Sequence, residues 1–98
     1  MQKSAFQTEI IDRLKQQRIA CKASQRDIAV WLQRSEALIG EIESSRFPQK
    51  YTLAEIHLLC RRFELPIEQL FLSPESLARD ENVIDLLITE IIRYVNGK

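Results

Sequence analysis

With 98 residues, 45% of them hydrophobic and 29% charged, the chain has room for one domain and one core, and it is too apolar to stay disordered. Fourteen Lys and Arg balance fourteen Asp and Glu, without the cationic excess that polyanion binders usually carry. Residues 1–9 hold no apolar run of signal-peptide type and no stretch approaches a membrane span, so a cytoplasmic chain without membrane contact is expected.

The first periodic segment sets Phe6, Ile10, Ile11 and Leu14 on one helical face, with Glu9, Asp12, Arg13 and Lys15 between them, and predicts a helix from about Gln7 to Ile19. Ser24 and Asp27 offer a hydroxyl and a carboxylate to the free backbone donors of a helix start. The second helix therefore begins there and buries Ile28, Ala29 and Leu32, with small Ala29 admitting a close crossing. Ser35 supplies the next N-cap a few residues later, so two short helices meet at a tight turn. The third helix, Ser35 to Ser44, turns Ile39 and Ile42 inward, and Pro48 bars its continuation. Thr52 and Glu55 make a capping box ahead of the stripe Leu53, Ile56, Leu59, Cys60 and Phe63. Pro66 opens a short fifth helix carrying Ile67, Leu70 and Phe71.

Another helical stretch starts at Ser73-Pro74, and from Val83 to Val95 the chain is apolar over more than one face. A helix of that kind needs burial on two sides, and Asn96-Gly97 suits its C-cap. The reading is all-α, with a domain over residues 6–72 and a helical extension over 73–98. Ile84, Leu87, Ile88, Ile91, Ile92 and Val95 are the expected interface of a homodimer. The alternative is that this surface packs on the chain's own domain.

Chemistry is sparse. Gly40 and Gly97 are the only glycines, so no phosphate-cradling loop exists, and His57, the sole histidine, can assemble neither a metal site nor a catalytic constellation. No catalytic residue, cofactor or metal is expected. Cys21 and Cys60 stand far apart, Cys60 inside an apolar pattern, and a disulfide is not needed. Trp31 reads either as an interface anchor or as the edge of the core, and Arg61-Arg62 as solvated helix surface.

Leu14-Lys15 with Arg18, Ser24-Gln25, Ile28-Ala29, Leu32, Ser35, Ile39, Ile42-Glu43, Thr52-Leu53, Ile56, Leu59 and Leu70-Phe71 form a spaced set. Across Ile10 to Phe71 that set resembles the repressor/Cro, or XRE, family of helix-turn-helix DNA-binding proteins. The run Leu38-Ile39-Gly40 followed by Pro48, Lys50 and Tyr51 is similar to one branch of it. The resemblance implies a five-helix repressor-like helix-turn-helix domain, followed here by the C-terminal apolar helix. It further implies a regulator of transcription that binds double-stranded DNA, with the third helix presented to base edges. Glu36, Ala37, Gly40 and Glu41 are then the reading positions. Gln25 would bond a phosphate at a helix N-terminus, with Arg26, Arg34, Arg46 and Lys50 best placed to add phosphate contacts. The balance of charge by half fits: residues 1–51 carry nine Lys/Arg against six Asp/Glu, and residues 52–98 five against eight.

The chain departs from the family pattern at the turn, where Gln33-Arg34 replaces a common glycine and apolar residue, so Gln33 is expected in the left-handed region. Lys22-Ala23 stands where Gly-Leu is common. Two glutamates on the reading face repel phosphate and accept only from cytosine amino groups or through water. The alternative function is a protein-protein adaptor that docks through Val30, Trp31 and Leu38, flanked by Glu36 and Glu41.

Overall fold

Serine- or threonine-led capping boxes set three of the helix starts in the computed structural model, which describes residues 2–79 and 82–98. α1 (Ala5–Ala20) begins behind Ser4, α2 (Gln25–Leu32) behind Ser24, and α4 (Leu53–Arg62) behind Thr52. At each, the cap hydroxyl accepts from the backbone N–H three residues on, and the side chain there, Gln7, Asp27 or Glu55, accepts from the cap N–H. α1 starts two residues before the point its apolar spacing predicts, because the Ser4/Gln7 box fixes the first turn. Between them α3 (Glu36–Glu43) starts at Ser35, whose Oγ accepts from the Leu38 N–H. α5 (Ile67–Phe71), α6 (Pro74–Arg79) and α7 (Val83–Asn96) complete an order of seven helices, with no strand among the described residues. Residues 80 and 81 of the expected extension lie outside the described residues.

Four helices stop in the same manner. Lys22, Gln33, Glu64 and Gly97 take positive φ of 58°, 56°, 53° and 73°. In each case the next N–H reaches back five residues: Ala23 to Arg18, Arg34 to Ala29, Leu65 to Cys60, Lys98 to Arg93. These are left-handed helix stops that satisfy orphan carbonyls. Only α7 uses glycine for it, so the other three stops carry a steric penalty that the bonds and the packing outweigh. The left-handed Gln33 expected between α2 and α3 is present.

Burial collects one core. Ile10 and Leu14 of α1, Ile28 and Ala29 of α2, Ile39 and Ile42 of α3, Ile56 and Leu59 of α4, and Leu70 and Phe71 of α5 are all buried. Tyr94 of α7 joins them at 1% exposure, so the extension shares the core of the preceding helices. Its hydroxyl donates to the Tyr51 carbonyl at 2.8 Å and its ring meets Phe71 edge-on at 6.1 Å. The Gln7 Nε2 donates to the Tyr94 carbonyl at 2.7 Å, which helps satisfy a polar side chain buried with the apolar set.

α7 is consequently two-faced. Leu87 and Ile91 pack on the core beside Tyr94, against α1 and α5. Ile84, Ile88, Ile92 and Val95 are between 51% and 74% exposed. Of the six expected dimer residues, two face the chain's own domain and four form an outward stripe. At the helical period Tyr94, Leu87, Ile91 and the four outward residues span roughly 160°, of which the inward three occupy about 60°. The radius of gyration is 13.4 Å, near the ~13 Å of a compact chain this long. Among the described residues no helix is long and apolar enough to cross a membrane.

Candidate nucleic-acid interface

The pose of α3 is set by a buried charge network. Arg18 donates from Nε and Nη2 to both Glu43 oxygens, at 2.8 and 2.9 Å, and from Nη1 to the Ala23 carbonyl at 3.0 Å. Gln25 Nε2 donates to the same carboxylate at 3.0 Å. The Arg18 and Glu43 side chains are 12% and 4% exposed. Their hydrogen bond raises the arginine pKa further, against the opposing effect of burial. One carboxylate thus ties the end of α3 to α1 and to the start of α2, while Arg18 also holds the link between α1 and α2.

A second cation closes the same, C-terminal end of α3. Lys3 Nζ donates to the carbonyls of Ile42, Ser44 and Gln49 at 2.7–2.8 Å. Two of these belong to the segment after α3, and a positive charge at a helix C-terminus is favourable in any case. Burial, with Lys50 nearby, holds the ammonium below the usual lysine range. No periodicity marks Lys3 in the sequence, because an ammonium serving carbonyls of another segment leaves no local pattern.

The four expected reading positions lie together on α3. Glu36 and Ala37 are exposed and Gly40 and Glu41 half-buried. Neither glutamate has an ion-pair partner or a side-chain hydrogen bond among the described residues, unlike Glu43 at the end of the same helix. Gln25 sits at the first turn of α2 with its amide nitrogen given to Glu43. Asp27, in the same turn, is held below the ordinary carboxylate range, first by the Ser24 backbone N–H and then by its hydroxyl.

The expected phosphate cations divide. Arg26, Arg46 and Lys50 are exposed and form no ion pair among the described residues. Arg34 instead donates from Nε and Nη2 to the two Glu55 oxygens at 2.6 and 2.9 Å. The left-handed turn at Gln33 aims it at the α4 N-terminus, where the Glu55 carboxylate also closes the capping box. Its charge is neutralised within the chain, so three cations remain for an anion.

The apolar trio of the adaptor reading is not equally open. Val30 is 68% exposed, but Leu38 packs partly on the core, and Trp31 meets Phe63 edge-on at 5.8 Å under the Arg62 guanidinium at 5.0 Å. Trp31 thus forms an edge of the core. Arg61 and His57 are exposed on α4. Cys21 is exposed and Cys60 buried, both as free thiols, with burial pushing Cys60 up to about 11. Comparison with protein-family models, curated proteins and solved structures finds no match to this chain.

Proposed function

We propose that the chain is a sequence-specific DNA-binding regulator of transcription, a repressor-like helix-turn-helix protein that acts as a homodimer in the cytoplasm. The observation that carries this reading is the α2-turn-α3 unit. Two eight-residue helices are joined through a left-handed Gln33, and α3 is tied down at its C-terminal end by Arg18 and Lys3 while its Glu36 and Glu41 side chains have no ion pair or hydrogen bond among the described residues. A helix held rigidly behind an open face is what docking in a major groove requires. Arg26 beside the α2 N-terminus and Arg46 and Lys50 after α3 supply phosphate contacts on either side. The outward stripe of α7 supports pairing with a second copy, and two-fold dimers match paired half-sites. The adaptor reading has less support, since two of its three apolar residues are engaged with the core.

The test is anisotropy of a labelled random-sequence duplex at low salt, for the wild type and for an Arg26→Ala/Arg46→Ala/Lys50→Ala variant. Binding by the wild type and a loss of about tenfold or more in the variant are expected from three lost phosphate contacts. Equal binding by both, or none by the wild type, would refute the reading.

A further inference from the structure

We infer that the α3 face reads cytosine at close range, Glu36 and Glu41 accepting from cytosine N4 amino groups across the bare backbone of Gly40. This deepens, and rests on, the DNA-binding reading above. Two observations converge on it. The first is that Gly40 has no structural need to be glycine. Its φ is not positive, and a Cβ built there would have only Gln25 Oε1 within reach, at an ordinary contact distance of 3.7 Å. Glycine inside a helix weakens it relative to alanine, so α3 keeps a destabilising residue at a place where a methyl group fits. Gly40 is half-buried beside Gln25, at the edge of the face that carries Glu36, Ala37 and Glu41, where the absent side chain lets a partner approach the helix closely.

The second observation is the chemistry on either side of that gap. Glu36 and Glu41 have no ion pair or side-chain bond among the described residues, and an ionised carboxylate only accepts. In the major groove guanine N7 and O6 and thymine O4 are acceptors and repel it. Adenine offers N6–H but sets the N7 lone pair beside it, whereas cytosine offers N4–H beside a C–H edge. Ala37, exposed on the same turn, adds a methyl group suited to a thymine methyl. The half-site is therefore rich in cytosine on one strand, with a thymine next to it.

Selection of bound duplexes from a random pool by the purified full chain, repeated with Glu41→Gln and Gly40→Ala, tests this. Cytosine at two or more half-site positions is expected, with one of them moving to adenine in Glu41→Gln, because a carboxamide both donates and accepts. Gly40→Ala is expected to raise the thermal midpoint by about 5 °C while weakening the selected duplex by about tenfold or more. DNA binding with no cytosine preference, with a preference unmoved by Glu41→Gln, or with undiminished affinity in Gly40→Ala overturns the inference and leaves the DNA-binding reading standing. Absence of any salt-sensitive binding overturns both.

Discussion

Glu43 is the residue on which the orientation of α3 turns. Its carboxylate is 4% exposed and meets three donors from Arg18 and Gln25, so removing one partner leaves a buried charge unpaired. Breaking a buried pair in this way costs about 3–5 kcal/mol. Arg18→Ala is expected to lower unfolding stability in denaturant by about that amount, and more than Arg34→Ala, whose pair is more exposed. The sequence marks both residues as members of a spaced set but carries no sign of their mutual contact, since a long-range ion pair has no period. The strain at Gln33 was readable, because a tight turn without glycine forces a side chain into the left-handed region. Gln33→Gly is expected to raise stability by roughly 0.5–1 kcal/mol, the steric relief exceeding the entropy lost; a lower denaturation midpoint would contradict it.

At the scale of the elements, the helix starts at Ser24, Ser35 and Thr52 and the stop at Gly97 are legible, because each is made by residues within one turn of the boundary. The Ser4/Gln7 box is equally local and shows that polar capping outruns apolar spacing as a marker of α1's start. What periodicity could not divide is α7. Its apolar arc exceeds one stripe, and the split between Leu87, Ile91 and Tyr94 inward and Ile84, Ile88, Ile92 and Val95 outward depends on how the helix docks on α1 and α5. The two faces predict separable effects. Ile88→Glu on the outer stripe is expected to shift sedimentation at micromolar concentration from dimer to monomer with little change in monomer stability. Tyr94→Phe deletes the hydroxyl that serves the Tyr51 carbonyl, and it is expected to cost about 1–2 kcal/mol of stability while leaving the dimer intact. A wild type that sediments only as a monomer would remove the interface.

For the whole molecule, burial makes folding sensitive to alkali. Tyr51 and Tyr94 are pushed well above the ordinary tyrosine value, chiefly by burial, and Cys60 is pushed up to about 11. Groups with raised folded pKa values keep protons that the unfolded chain releases. Their contribution is complete below the unfolded values and lost as pH climbs toward the folded ones. The thermal midpoint is therefore expected to fall as pH rises beyond about 10, and to fall less steeply in Tyr94→Phe. A midpoint flat across that range would contradict the burial of both phenols.

The same scale holds the functional claim, which net charge alone conceals. A chain of zero formal charge presents three cations around α3 that have no ion-pair partner among the described residues, because Arg18 and Arg34 are matched inside the fold. That Glu36 and Ala37 face outward on α3 was legible from helical spacing, whereas the subtraction of Arg34 was not, since it depends on the left-handed turn aiming that side chain at Glu55. Two copies would bring six such cations to a duplex. The most direct measurement is the affinity for a selected duplex across a range of salt concentration. A plot of log K against log salt with a slope of about −5 is expected for roughly six phosphate contacts. A slope near zero, or no binding at the lowest salt, would contradict DNA binding by this face.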